Sequence, residues 1–108
     1  MYHAFADRVC RDLRGAERRQ PFGPDTVVWT VEGHMFAAYT VDGRGLSLRL
    51  DQDLAVRLLD EGLALSEPDL AGAGWVLLPW ETHPDMLRRH IEVSYRLVRA
   101  DGNAHAGA

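Results

Sequence analysis

The sequence predicts a two-layer α+β domain: a mostly antiparallel five-stranded sheet with helices on one face, in the order α-β-β-β-α-β-β-α. Three observations predict it. Segments with apolar residues at helical spacing lie at both ends and in the middle of the chain. Between them lie runs rich in β-branched and aromatic residues. Glu32-Gly33 and Asp42-Gly43 separate the first three of those runs, the second as a tight-turn pair. A meander of this kind sets its helices on one sheet face and leaves the other open to water or a partner.

Each element has a local cause. In residues 2–14, Tyr2, Phe5, Ala6, Val9 and Leu13 recur at helical spacing, and Gly15 is a stop. Residues 17–25 are charged and then rich in Pro and Gly, which reads as a loop. Strands are expected at 26–31, 34–41 and 44–50. Asp51 caps a second helix whose buried stripe is Leu54, Ala55, Leu58 and Leu59, with Gly62 at its end. Residues 63–65 and 74–78 read as two short strands joined by the turn-prone stretch 66–73. Thr82-His83-Pro84-Asp85 opens the last helix, which buries Met86, Leu87, His90, Ile91, Ser94, Leu97 and Val98. The expected organisation is one domain over residues 1–100 and a flexible tail over 101–108.

Composition narrows the function classes. The chain has 108 residues, enough for one core, and no apolar run long enough to span a bilayer. Charged residues interrupt its N-terminal segment, unlike a signal peptide, and its one cysteine, Cys10, has no internal disulfide partner. A cytoplasmic protein without a membrane role is expected. All 12 basic residues are arginine, a pattern that follows from GC-rich codons or from bidentate recognition of phosphate and carboxylate. The formal net charge of −4 opposes a general grip on nucleic acid, so such binding needs a locally basic face.

The chemistry-bearing residues do not converge. The five histidines lack zinc spacing, Asp51 and Asp53 are better explained by the helix cap than by a calcium loop, and no metal or cofactor is expected. His90 and Ser94 lie four apart on one helix with no acid or oxyanion site in view, so no catalytic residue and no enzyme is expected. Gly72-Ala73-Gly74 precedes a strand, the reverse of a phosphate loop, and reads as a turn.

Side-chain parity selects the faces. With a three-residue first turn and Gly33 left-handed, Thr30 pairs with His34. Val27, Trp29, Val31, Met35, Ala37, Tyr39, Val41, Leu46, Leu48 and Leu50 then form one apolar face. The opposite, open face presents Thr30, His34, Phe36, Thr40, Ser47 and Arg49, where an exposed Phe36 beside His34 and Arg49 can stack a base or hold an anion. A two-residue turn would instead mix Trp29 and Phe36 with the polar set. Burial of Trp29 with exposure of Phe36 would favour the first register. Arg88, Arg89, Arg96 and Arg99 form a second basic surface on the last helix, interleaved with Asp85 and Glu92.

Several segments together resemble the MmcQ/YjbR family. They are Leu13-Arg14-Gly15-Ala16-Glu17, Pro21-Phe22-Gly23, the hairpin from Trp29 through Glu32-Gly33 to Ala37, Leu48-Arg49-Leu50-Asp51, the late-strand Trp75, and Ser94-Tyr95-Arg96-Leu97-Val98. The resemblance covers nearly the whole chain in order. It implies a fold similar to secretion-chaperone-like and frataxin-like domains, and DNA binding through a double-wing arrangement. The chain departs from the pattern at Thr30, His34 and Arg49, where the family tends to carry lysine, and at Ala71-Gly72-Ala73-Gly74 before Trp75. The expectation is a non-enzymatic DNA-binding protein using Thr30, His34, Phe36, Arg44 and Arg49 on the open face. The alternative is a chaperone-like interaction domain, a homodimer or a protein binder, with no nucleic-acid role.

Overall fold

The computed structural model describes residues 2–67 and 74–106. Its elements are α1 (Tyr2–Arg11), β1 (Ala16–Arg19), β2 (Thr26–Val31), β3 (His34–Thr40), β4 (Gly45–Arg49), α2 (Gln52–Asp60), β5 (Leu65–Ser66), β6 (Trp75–Pro79) and α3 (Pro84–Ala106). The strands form one sheet in the order β1-β2-β3-β4-β6-β5, and every neighbouring pair is antiparallel. The sheet thus has six strands rather than the expected five, and the order is α-β-β-β-β-α-β-β-α. The added strand is β1, which pairs from Ala16↔Val31 to Arg19↔Val28. Its sequence reads as a loop because it is an edge strand: Glu17, Arg18 and Arg19 are exposed, and no apolar alternation marks it.

The helices cover one face. Ala6, Val9 and Cys10 of α1, Ala55 and Leu58 of α2, and Leu87, Ile91, Tyr95 and Val98 of α3 share a core with strand residues. Those strand residues are Val27, Trp29, Val31, Tyr39, Leu46, Leu48, Val76 and Leu78. The Asp51 carboxylate accepts the Leu54 amide at 2.9 Å, which is the expected cap of α2. The stretch 66–73, where a turn at Gly72-Ala73-Gly74 was expected, lies mostly outside the described residues. At the other end α3 continues to Ala106, where a tail was expected from residue 101. The Asp101 carboxylate pairs with Arg49 at 3.0 Å there.

The first hairpin resolves both register readings. Val31 pairs with His34 across a two-residue turn, with Glu32 at φ +53° and Gly33 at φ +83°, the conformation of a type I′ turn. The three-residue turn is therefore corrected. The register then shifts between Trp29 and Thr30: Thr30 pairs with Met35 and Trp29 with Ala37, so Phe36 is the extra residue of a bulge. Beyond it, Val27, Trp29, Ala37 and Tyr39 all face the helices, as expected. Phe36 joins them. It is fully buried and meets Tyr95 of α3 edge-on at 5.6 Å, so it does not stand on the open face.

The bulge opens a seam that α3 closes. The β3–β4 ladder has only the pairs Ala37↔Leu48 and Ala38↔Ser47. Past it, the buried Ser94 hydroxyl donates to the Phe36 carbonyl at 2.6 Å and accepts the Arg49 amide at 3.2 Å. One side chain thereby supplies the bridge that the two strands lack.

Candidate functional site

The open sheet face carries a cleft. One row of paired residues crosses all six strands: Arg19, Val28, Ala38, Ser47, Leu77 and Leu65. Its middle members are small, so the sheet is hollow there. Val28 and Ala38 are buried yet stand apart from the helix-side core. The cavity above them has a volume of about 500 Å³ and is walled by Phe22, Met35 and Leu77. Thr40, Gly43, Arg44 and Gly45 line one end. Between Ala38 and Leu77 on that row, Ser47 donates a short 2.5 Å hydrogen bond to Glu67.

The structure disperses the residues expected on this face. Thr30 does face it, but is buried opposite Met35 and Glu17. His34 lies opposite Val31, hence on the helix side of β3, exposed beside the turn. The two-residue turn put it there and gave its expected place to Met35. Phe36 is in the core. Arg44 is exposed and lines the cleft. Arg49 is half-buried and engaged by Asp101. An aromatic flanked by His34 and Arg49, ready to stack a base, is therefore not assembled.

The helical layer is where arginines gather. On α3, Arg88, Arg89, Arg96 and Arg99 are exposed, and at about 100° per residue they fall within roughly a quarter of the helix circumference. Among the described residues none of them forms an ion pair, with Asp85 and Glu92 or otherwise. Instead the Arg88 guanidinium lies 5.6 Å over the Phe5 ring of α1, and that of Arg99 lies 5.9 Å over Tyr95. Arg99 also donates to the Tyr95 hydroxyl at 3.2 Å, and that hydroxyl donates to the Arg14 carbonyl. Arg8 and Arg11 on α1 are exposed as well.

A polar network missed by sequence reasoning ties α1 to the sheet. The Asp7 carboxylate accepts Trp29 Nε1–H at 2.9 Å and the Tyr39 hydroxyl at 2.9 Å, with Arg18 Nε at 3.8 Å. His3 stacks on Tyr39 at 4.8 Å, and Trp80 closes the group edge-on at 5.7 Å from Tyr39. Burial pushes the Tyr39 hydroxyl up to about 12; the Asp7 hydrogen bond and charge add to this, and Arg18 opposes it. The signal in the sequence was slight: Asp7 sits just off the apolar stripe of α1, and nothing pairs it with Trp29 or Tyr39 until the layers pack. His90 and Ser94, four apart on α3, are each engaged elsewhere: His90 Nδ1 is bonded to the Met86 carbonyl at 2.8 Å and Ser94 to the strands. Among the described residues, no three His, Cys, Asp or Glu side chains gather as a metal site would need.

An antiparallel sheet with a cleft on its bare face and helices on the other defines a small two-layer α+β domain. The chain belongs to the YjbR family, whose model matches residues 11–97. Its backbone is similar to the crystal structure of the Deinococcus radiodurans protein DR2400, which carries the DUF419 domain. The two share 24% identity over 85% of this chain and 74% of that one, with a TM-score of 0.74. That likeness is one of fold. No curated protein matches the chain. Among the described residues, no helix is long and apolar enough to cross a membrane.

Proposed function

We propose that this chain is a non-enzymatic DNA-binding domain that holds the phosphate backbone through the arginine side of α3, not through the open sheet face. The observation that carries this reading is the exposed stripe of Arg88, Arg89, Arg96 and Arg99, free of ion pairs among the described residues. Guanidinium forks suit phosphate oxygens, and two of the four are already ordered over Phe5 and Tyr95. Arg88 and Arg99 are eleven residues apart, about 16 Å along the helix, a span that lets one helix touch several phosphates across a groove about 12 Å wide.

The acidic net charge does not forbid this, because the charges are segregated. Residues 2–15 and 84–106 hold seven of the 12 arginines. Of the carboxylates there, Asp7 is bound to Trp29 and Tyr39, and Asp101 to Arg49. The rest of the chain carries the acidic excess and orients the domain with its helices toward a polyanion.

The test is fluorescence anisotropy with a labelled DNA duplex at 50 and 200 mM salt. Four neutralised phosphates give a log–log salt slope of about −3.6, so affinity falls about 150-fold over that range. An Arg89→Ala/Arg96→Ala double variant is expected to halve the slope, and Arg44→Ala to leave it alone. Binding that is absent at 50 mM salt, or that survives the double variant and is lost with Arg44→Ala, refutes the assignment.

A further inference from the structure

We propose that the cleft on the open sheet face is a binding site for a small amphipathic organic anion, with an apolar or aromatic body and one acidic head group. The site lies on the opposite face of the sheet from the helices and does not depend on the DNA reading. Its volume of about 500 Å³ falls in the range of small-molecule sites, roughly 300 to 1,000 Å³. Its floor, Val28 and Ala38, is apolar and already withdrawn from water, although nothing from the helical layer covers it. Met35, Leu77 and Phe22 stand around that floor, and Phe22 is 70% exposed, an unusual state for a phenylalanine beside an apolar hollow.

The head group is assigned by charge. Among the described residues, Arg44 is the one cation lining the cleft and has no carboxylate partner. Three residues further along β4, about 10 Å away, Ser47 lies between Ala38 and Leu77 and is hydrogen-bonded to Glu67, so that part of the cleft carries the opposite charge. An anion in the cleft is attracted at the Arg44 end and repelled near Glu67. The ligand's orientation follows: its acidic group meets the Arg44 guanidinium and its apolar body lies over Val28 and Ala38 toward Leu77. A body of about 10 Å fills the distance.

The probe is 8-anilinonaphthalene-1-sulfonate, an aromatic sulfonate, titrated into the full folded chain and then displaced with decanoate. Saturable one-to-one binding with enhanced fluorescence and displacement is expected. Arg44→Gln, at an exposed position, should weaken it by about tenfold, the scale of one lost charge-assisted hydrogen bond. Ala38→Leu fills the floor and should abolish it. Should that variant not fold, Leu77→Glu, which sets a second carboxylate in the wall, should do the same. Arg89→Ala on α3 should leave binding unchanged. Absence of saturable binding, insensitivity to Arg44→Gln, or loss with Arg89→Ala overturns the proposal. So does sedimentation as a dimer that excludes the probe and admits it only on dilution to monomer, because a second copy would then be the occupant.

Discussion

Replacing Ser94 by alanine removes one oxygen and leaves two backbone groups of the sheet without partners. The Phe36 carbonyl loses a 2.6 Å bond and the Arg49 amide a 3.2 Å bond, both beneath α3 at a residue with no solvent exposure. An orphaned buried polar group costs about 1–3 kcal/mol. The carbonyl bond is short and deserves the full figure; the longer amide bond deserves the lower end. Relief from burying the hydroxyl offsets a little of this, so the expected loss is about 2–4 kcal/mol, a large share of the roughly 5–15 kcal/mol of a typical domain. For a chain of this size that lowers the melting temperature by about 10–20 °C. Urea denaturation followed by tryptophan fluorescence reads the difference directly, with exposed Ser66→Ala as control. A loss below about 0.5 kcal/mol would show that water or a shift of β4 repairs the seam, and the bridging role of Ser94 would be wrong.

Two further outcomes follow from the buried groups of α1 and β3. Tyr39 titrates at about 12 in the folded chain against an ordinary 10, so its contribution to stability is intact below pH 10 and is lost as the pH climbs through 12. A Tyr39→Phe difference titration of phenolate absorbance isolates it, and Asp7→Asn should bring the value down; a Tyr39 phenolate appearing at the ordinary pH would refute the network. Cys10 is buried, which together with the nearby Asp7 charge pushes its thiol up. A thiol reagent should therefore label Cys10 only at the rate of unfolding, and prompt labelling of the native chain would contradict its place in the core.

The helices, the Asp51 cap, strands β2 to β4 and the family resemblance were legible because each rests on local pattern. The apolar set from Val27 to Leu50 was largely right for the same reason. The open face was not legible, because it hangs on one extra residue. Glu32-Gly33 makes a two-residue turn by local chemistry, with a non-glycine residue in the left-handed region, and that turn alone would point Ala37 and Tyr39 away from the helices. The Phe36 bulge restores the phase, and only packing of the layers, which bonds Tyr39 to Asp7 of α1, decides between a straight ladder and a bulged one. Hence Phe36 and His34 left the candidate site and Met35 entered it. On α3 the arginine stripe was visible in the sequence. That Asp85 and Glu92 leave it unpaired became visible only in three dimensions.

The ends of the sheet have a consequence for how the protein behaves when crowded. At one rim β1 offers its outward hydrogen-bonding groups between Glu17, Arg18 and Arg19, so an arriving strand must strip water from a charge at nearly every rung. At the other rim β5 is two residues long, too short to template a ladder. Neither end rewards the growth of one sheet onto another, the first step toward fibres. A domain built this way keeps an apolar hollow on one face without offering a strand for another copy to extend, because what invites a ligand lies on the face and what would invite a further strand has been blunted at the margins.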